Sequence, residues 1–268
     1  IPDSAAVNES VKIAKKLKLG RLSGLVNAVL RNFLRDGAEI RYPQKKSEKM
    51  SVEYSAPEWL TKLLLDNYPE EQAVSLLQSS VNKPPVTIRL NNIKCPDRQK
   101  ALDSLGITAE ETVLDGCYKI ENGDVTKLES FENGLFHVQD IASQLCCHAL
   151  SPDEGDTVLD VCAAPGGKTF TIAELMNNGG KIFAFDIHEH RVKLIRNGAK
   201  RLGITNISAE TGNAAVYNEK MPMADKILCD VPCSGLGVIR RKPEIKYKNY
   251  EEFERLPEIQ YRILETAA

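Results

Sequence analysis

The chain has 268 residues, of which 42% are hydrophobic and 27% charged, and its formal net charge is −2. This length allows two or three domains, and the near-neutral charge gives no support of its own to nucleic-acid binding. The cysteine count, seven, is odd and does not indicate the disulfide framework of a small secreted protein. No signal peptide, membrane-length apolar segment or CxxC pair with metal-ligand spacing is present. We therefore predict a cytoplasmic protein with no membrane segment and no metal site.

The N-terminal residues predict helices. Basic side chains between two of these helices favour either a nucleic-acid contact or an ordinary solvated face: Lys12, Lys15, Lys16, Lys18 and Arg21. Apolar side chains then recur at helical spacing, and we expect them to pack: Leu22, Leu25, Val26, Val29, Leu30, Phe33 and Leu34. The polar residues 41–50, which include a proline, predict a linker. The first predicted domain is therefore helical and covers residues 1–42.

A small α+β domain is predicted next, over residues 43–133. Helices are expected at residues 57–66, 70–80 and 97–105, and a strand is expected at residues 85–90. The domain contains no internal repeat or low-complexity segment.

Strands and helices alternate in the remaining residues, 134–268, which predicts an α/β fold with a doubly wound parallel sheet. Strands are expected at residues 157–161, 181–186, 204–209 and 226–229, and helices from Thr169 to Asn177 and around 192–202. The carboxyl ends of parallel strands share one edge of the sheet, where ligands bind. Four polar residues are expected at or near that edge: Asp160, Asp186, Asn213 and Asp230.

The first of these strands runs into a glycine turn, residues 162–168, with the sequence Cys-Ala-Ala-Pro-Gly-Gly-Lys. Gly166 and Gly167 have no Cβ, so a ligand can approach the backbone closely. The helix that follows presents free N–H groups to an anion or a polar ligand. A phosphate-binding Walker A loop is excluded, because Cys162 stands where its first glycine belongs, and the dinucleotide G-x-G-x-x-G pattern is absent. The alternative is a purely structural strand–turn–helix connection.

A second motif, Asp-Val-Pro-Cys-Ser-Gly at residues 230–235, follows the last predicted strand and places a thiol and a carboxylate at the same edge. Arg240, Arg241 and Lys242 come directly after it, and cations there suit RNA phosphates, although a solvated charged face is the alternative. Cys229 lies inside the strand and is predicted to pack rather than react.

Residues 158–169 and 230–235 resemble the bacterial RNA cytosine-C5 methyltransferases that use S-adenosylmethionine, and residues 237–246 resemble the branch that modifies small-subunit (16S) ribosomal RNA. Residues 134–144 match the segment that precedes the cofactor domain of that family. Residues 6–11 and 24–33 resemble the end of its helical RNA-binding domain, which is similar to antitermination factor B (NusB-like). The resemblance implies a Rossmann-like methyltransferase domain over residues 134–268, preceded by an RNA-cradling α+β domain and a NusB-like helical domain.

The resemblance also implies roles for individual residues. Asp186 would hold the ribose of S-adenosylmethionine, Asn213 would stand near the adenine where the family usually has Asp, and Asp230 would lie beside the methionine end and the target base. The residues that would wrap the cofactor are Cys162, Ala163, Ala164, Pro165, Gly166, Gly167 and Lys168. The residues expected to bind RNA are Arg240, Arg241 and Lys242. The implied partner is 16S ribosomal RNA, free or partly assembled, and the protein is expected to be a monomer.

The chemistry of the family requires a cysteine. A thiolate adds to C6 of cytosine, C5 then accepts the methyl group, and loss of the C5 proton expels the thiol. In the resembled family the attacking cysteine lies on the strand after the Pro-Cys motif, and the thiol at the position of Cys233 helps product release. The chain starts without Met and stops inside an apparent helix, so the resemblance implies a fragment whose nucleophile lies beyond residue 268. We expect this piece not to methylate RNA.

Two other functions remain open. One is a non-catalytic ribosomal-RNA-binding or ribosome-assembly factor that retains an S-adenosylmethionine site. The other is a DNA cytosine-C5 methyltransferase in which Cys233 is the nucleophile. The Arg-Arg-Lys segment and the helical N-terminal domain favour RNA over DNA.

Overall fold

A computed structural model describes residues 2–37, 40–120, 124–219 and 221–268. The internal contacts of the chain separate two units, residues 1–78 and 79–268. The domain boundaries after residues 42 and 133 remain predictions.

The first unit consists of helices. α1 packs against α2, and α3 packs against α4. The predicted helices at residues 57–66 and 70–80 are confirmed within a residue at each end. The helices are α1 Asp3–Lys16, α2 Ser23–Arg35, α3 Lys46–Glu53, α4 Glu58–Asn67 and α5 Glu70–Val81.

The linker predicted at residues 41–50 is wrong over its second half, because α3 begins at Lys46. The Ser47 hydroxyl donates to Glu58 Oε1 over 3.1 Å, and the Thr61 hydroxyl donates to the Ser47 carbonyl over 3.0 Å. Met50 is buried between these contacts. This segment is polar and has only a weak helical pattern in its sequence. Its packing on α4 therefore stabilises the helix.

The apolar face of α2 is only partly covered. Val26, Leu30 and Leu34 are half-buried, whereas Leu25 and Val29 are 60% and 56% exposed. The prediction that all the apolar side chains of this helix pack is therefore wrong: within the part of the chain that the structure describes, some of them are exposed. α1 covers one side of α2, and the neighbouring side faces solvent.

The second unit contains two four-stranded sheets and the helices around them. Its elements in chain order are β1 Val86–Leu90, α6 Arg98–Asp103, β2 Ala109–Glu111, β3 Cys117–Ile120, α7 Glu129–Glu132, β4 Phe136–Val138, α8 Ile141–Leu150, β5 Thr157–Asp160, α9 Gly167–Leu175, β6 Lys181–Asp186, α10 Glu189–Leu202, β7 Ile207–Thr211, β8 Lys226–Leu228, α11 Glu251–Glu254 and α12 Leu256–Ala267.

The first sheet is antiparallel, with strand order β2-β3-β1-β4. Its last strand, β4, consists of residues that the sequence analysis grouped with the cofactor domain. Leu90 pairs with Phe136, and both side chains lie in an apolar core with Ile88 and Leu105. The predicted helix at residues 97–105 is confirmed as α6, and Asp97 caps it by accepting the Lys100 N–H.

The second sheet is parallel, with strand order β7-β6-β5-β8, which confirms the predicted doubly wound α/β fold. Strand β7 begins at Ile207 rather than at residue 204. Gly203 adopts a left-handed conformation that ends α10, and the Ile204 N–H still donates to the Ala199 carbonyl. Pairing with β6 therefore starts at Ile207, which lies opposite Ile182.

Phe170, on α9, fills the space between the glycine turn and α10. A Cβ added to Gly166 or to Gly198 would lie 2.4 Å from the Phe170 ring. Gly166 also has a φ of +109°, which only glycine adopts readily. Gly198 has an ordinary helical backbone, so only the ring of Phe170 requires glycine there.

Polar side chains buried between the two sheets bond to one another. Arg89 on β1 donates through Nε to Glu174 Oε2 on α9 over 2.7 Å, and these side chains are 2% and 0% exposed. His137 Nδ1 lies 3.4 Å from the other Glu174 oxygen. Gln139 accepts a hydrogen bond from the Thr171 hydroxyl over 2.6 Å. Charges removed from water this completely are tolerated only when they are paired.

The buried ion pair gives a stability prediction. Glu174→Gln leaves the Arg89 charge buried without its counter-charge, so the free energy of unfolding is expected to fall by about 3–5 kcal/mol. Urea unfolding followed by circular dichroism measures this change. Glu110→Gln breaks the exposed pair with Lys119 and serves as the control, for which a much smaller change is expected. A wild-type urea midpoint in Glu174→Gln would contradict the assignment.

The packing of Phe170 gives a second prediction. Gly198→Ala should lower the free energy of unfolding by about 1–3 kcal/mol, because the methyl group overlaps the ring. Gly24→Ala, also at a helical glycine but with open space around it, should cause no loss and a gain of up to about 1 kcal/mol. Urea unfolding compares the two. The double variant Phe170→Leu, Gly198→Ala should lose less free energy of unfolding than the sum of the losses in the two single variants. A Gly198→Ala variant as stable as the wild type would contradict the overlap with the Phe170 ring.

Candidate active site

The carboxyl ends of the parallel strands are level with one another. Asp160 lies opposite Ala184 on one side and Leu228 on the other, and Asp186 lies opposite Thr211. Asn213 and Asp230 follow the ends of β7 and β8 by two residues. The structure therefore places the four predicted polar residues at or just beyond the same edge of the sheet.

Backbone hydrogen bonds hold the glycine turn against this edge. The Ala163 N–H donates to the Phe185 carbonyl over 2.7 Å, and the Gly166 N–H donates back to the Ala163 carbonyl over 2.8 Å. Helix α9 begins at Gly167, two residues earlier than predicted, so its first N–H groups belong to the turn itself.

Asp160 is fully buried below the turn. The Thr169 hydroxyl donates to Oδ2 over 2.7 Å, and Oδ1 accepts no hydrogen bond from the described residues. Burial raises the pKa of the Asp160 carboxyl to about 7, although Thr169 acts against it, and nearby Asp230 raises it further. The sequence marked Asp160 as a strand-end residue but gave no sign that its carboxyl is buried.

Asp186 is buried and fixed by two donors. Its Oδ2 lies 3.0 Å from Arg191 Nη1, and its Oδ1 accepts the His188 N–H over 3.1 Å. Arg191 also donates through Nη2 to the Ala164 carbonyl over 2.7 Å. Arg191 therefore ties Asp186 to the glycine turn, a role that the sequence analysis missed because a cation in the first turn of a helix has no distinctive pattern.

Lys168 joins the two sequence motifs. Its Nζ lies 2.6 Å from Asp230 Oδ2, and its side chain is 18% exposed. Burial acts to lower the pKa of Lys168, but the hydrogen bond and charge of Asp230 outweigh it and leave that pKa raised. The ammonium group therefore stays charged beside the Pro-Cys loop, which we define as residues 230–235.

Three cysteines near this edge differ in exposure. Cys233 is exposed, whereas Cys162 and Cys229 are half-buried and pack against apolar residues of the sheet. Burial raises the pKa of the Cys162 thiol to about 12 and also raises that of Cys229. Both thiols are therefore protonated near neutral pH, which agrees with the packing role predicted for Cys229.

The remaining predicted residues have partners within the protein or face solvent. Asn213 is exposed, and its side chain accepts the Ala215 N–H over 3.1 Å. Arg240 and Arg241 donate to carbonyl groups of residues 82–85, and Arg241 also pairs with Asp140. Lys242 is exposed and has no side-chain partner among the described residues.

The part of the chain that the structure describes holds no group of three His, Cys, Asp or Glu side chains arranged to bind a metal ion. None of its helices is long and apolar enough to cross a bilayer.

Three protein families match successive parts of the chain. Residues 1–35 match the NusB family, residues 56–122 match the ferredoxin-like domain of RsmF/B-like methyltransferases, and residues 147–268 match the family described as 16S rRNA methyltransferase RsmB/F. Each matched range lies inside one of the three predicted domains.

Individual relatives agree with these families. The chain is 42% identical over its full length to a probable ribosomal RNA small subunit methyltransferase B of Bacillus subtilis, and 36% identical over 99% of its length to ribosomal RNA small subunit methyltransferase B of Vibrio vulnificus. It spans 62% and 63% of those two proteins.

A solved structure of a methyltransferase homolog protein from Pyrococcus horikoshii superposes with a TM-score of 0.70 at 26% identity, covering 84% of this chain and 72% of that one. The parallel sheet and its helices are thus the Rossmann-like fold of methyltransferases. Residues 147–268 are thus similar to the 16S rRNA methyltransferase RsmB/F family.

Proposed function

We propose that this chain is part of an enzyme that transfers a methyl group from S-adenosylmethionine to C5 of a cytidine in small-subunit ribosomal RNA. The observation that carries the proposal is the contact between Lys168 and Asp230, 2.6 Å from Nζ to Oδ2. It joins the glycine turn, which suits a nucleoside cofactor, to the Pro-Cys loop, which suits a pyrimidine. The names of the relatives support ribosomal RNA as the substrate.

The residues at the sheet edge fit S-adenosylmethionine. Helix α9 begins in the turn at the half-buried Gly167, and each Asp186 oxygen accepts from one donor among the described residues, which leaves a second lone pair for a ribose hydroxyl. Asp160 is a fully buried carboxyl whose Oδ2 bonds to Thr169 in the helix that follows the turn. When bound, the cofactor supplies an electrophilic methyl group; the residues proposed to wrap it are 162–168, with Asn213 beside the adenine.

On the substrate side, we assign roles to Asp230, Lys168 and Cys233. Asp230 lies at the end of β8 and is held in place by the Lys168 ammonium group, so one of its oxygens is fixed while the side chain stays half-exposed. An exposed thiol three residues later can reach a cytosine whose C5 lies near the methyl donor. In the proposal, this thiol assists release of the methylated product after another cysteine of the whole protein has formed the adduct at C6.

Three further features belong to the proposal. The enzyme acts in the cytoplasm and as a monomer, on free or partly assembled 16S ribosomal RNA. Of the predicted RNA-binding cluster Arg240, Arg241 and Lys242, the exposed Lys242 stays the proposed RNA contact, because both arginines have partners within the protein. The DNA-type alternative differs in one testable respect, because it makes Cys233 the nucleophile.

Cofactor binding provides the first test. Asp186→Ala removes a charged acceptor for two ribose hydroxyls. Each hydrogen bond to such an acceptor contributes roughly 1.5–3 kcal/mol, so affinity for S-adenosylmethionine should fall about tenfold or more. Isothermal titration calorimetry on folded protein measures this loss. Glu210→Ala, which removes an exposed carboxylate from β7, is the control and should bind like wild type. No binding by well-folded wild-type protein would refute the cofactor proposal.

The role of Cys233 is tested in the full gene product. Cys233→Ala should still form the covalent RNA–protein adduct but resolve it slowly, so the adduct accumulates on a denaturing gel after incubation with 16S ribosomal RNA and S-adenosylmethionine. Cys229→Ala is the matched control, since its half-buried thiol packs against the sheet, and it should not accumulate adduct. Loss of both adduct and methyl transfer in Cys233→Ala would instead identify Cys233 as the nucleophile.

A further inference from the structure

The segment after the Pro-Cys loop has little regular structure of its own. Between Gly235 and α11 it forms only two short 3-10 turns, Leu236–Val238 and Pro243–Tyr247. Its backbone hydrogen bonds, such as those from Val238 to Gly235 and from Lys242 to Val238, are local. Side-chain contacts therefore attach the segment to other parts of the protein and help to place the Pro-Cys loop.

Arg240 binds the chain just before β1. Its Nη2 donates to the Lys83 carbonyl over 2.7 Å, and its Nε donates to the Asn82 carbonyl over 3.3 Å. These carbonyl groups follow the last turn of α5, which ends at Val81. Because these carbonyls lie outside the helix and outside β1, they have no partner in a helix or strand ladder, and a guanidinium is a suitable donor for them.

Arg241 binds two other elements. Its Nη2 donates to the Pro85 carbonyl over 3.1 Å, and its Nη1 pairs with Asp140 Oδ2 at the start of α8. Both side chains of this pair are about one-third exposed, 35% and 34%. Asp140 balances the charge of Arg241, which makes that guanidinium a weaker attractor for a phosphate than a free cation would be.

The same segment is fixed to the Pro-Cys loop at its other end. Gly235 has a φ of +77°, and a Cβ there would lie 3.0 Å from Cδ1 of the buried Ile245. Lys246 is buried, and its Nζ lies 3.3 Å from the Ser80 hydroxyl. Gln260 on α12 donates to the Pro232 carbonyl over 2.7 Å. The Arg241 N–H donates to the Val238 carbonyl, and the Val238 N–H donates to the Gly235 carbonyl, both over 2.9 Å, so residue 241 is connected to the loop through two short contacts.

We propose that Arg240 and Arg241 are positioning residues, which hold Asp230 and Cys233 in place by fastening the following segment to residues 82–85 and to Asp140. The proposal rests on the function proposed above, and it changes the expected role of these two arginines from phosphate binding to alignment. A displacement of about 1 Å at reacting groups can cost about a hundredfold in rate. Loosening this attachment therefore lowers the rate of methyl transfer more than it lowers affinity for RNA.

Steady-state kinetics on the full gene product test the proposal with Arg240→Gln, Arg241→Gln and Asp140→Asn. We expect kcat to fall at least tenfold in Arg241→Gln and Arg240→Gln, with KM for ribosomal RNA and its salt dependence near wild type. Asp140→Asn should lower kcat in the same direction, and its combination with Arg241→Gln should cost less than the sum, because both changes break one contact.

Direct phosphate binding gives the opposite pattern. Arg241→Gln would raise KM and make the dependence of RNA affinity on salt shallower, with little change in kcat. Asp140→Asn would release the Arg241 charge and tighten RNA binding. Either result overturns the positioning role.

Hydrogen exchange tests the positioning role independently of the proposed enzymatic function, because the measurement requires no methyl transfer. Amides of residues 230–236 should exchange faster in Arg240→Gln and Arg241→Gln than in wild type. Arg98→Gln breaks another exposed arginine–aspartate pair, with Asp115, and is the matched control that should leave these amides unchanged. Unchanged exchange in the two arginine variants refutes the positioning role. Faster exchange in a protein that methylates no RNA supports the attachment and refutes only the proposed function.

Discussion

The position of the glycine turn depends on a buried ion pair. Arg89 lies in the antiparallel sheet and Glu174 lies in the helix that follows the turn, and both are almost completely buried. An isolated charge in this environment would cost several kcal/mol, so each residue requires the other. Displacing α9 from the antiparallel sheet would therefore leave two uncompensated charges. This pairing therefore favours the arrangement of the layers in which both charges are compensated.

Around this pair the network extends toward the turn. Thr171 donates to Gln139, and the Gln139 carbonyl accepts in turn from the Thr87 hydroxyl over 2.7 Å. Asn91 donates to the carbonyls of Gly134 and Leu202, at 2.8 and 2.7 Å, and so joins the antiparallel sheet to the end of α10. The two helices that flank the glycine turn are thus both attached to the antiparallel sheet by side chains that cannot exchange their partners for water.

The sequence was sufficient for the parts of the site that local chemistry determines. A strand followed by a glycine turn predicts a strand-edge ligand site, and the alternation of elements predicts the parallel sheet, so Asp160, Asp186, Asn213 and Asp230 could be placed before the structure was known. Arg191, the burial of Asp160 and the Arg89–Glu174 pair could not be. Each depends on tertiary contacts between residues that are far apart in the sequence. A single sequence contains no periodicity or motif that predicts such contacts. The helix at Lys46–Glu53 was missed for the same reason, since packing on α4 outweighs its weak local pattern.

The two halves of the candidate active site are held by different kinds of interaction. On the cofactor side, backbone hydrogen bonds attach the glycine turn to β6. Gly166 also packs against the Phe170 ring, so the turn has little freedom to move. On the other side, the Pro-Cys loop is held by side chains: Lys168, Gln260 and the two arginines that follow it. Side-chain contacts at partly exposed positions open more easily than a buried backbone ladder. Under the proposed function, a rigid cofactor side and a more adjustable substrate side would suit a large RNA substrate that brings one base to a fixed methyl donor and then leaves.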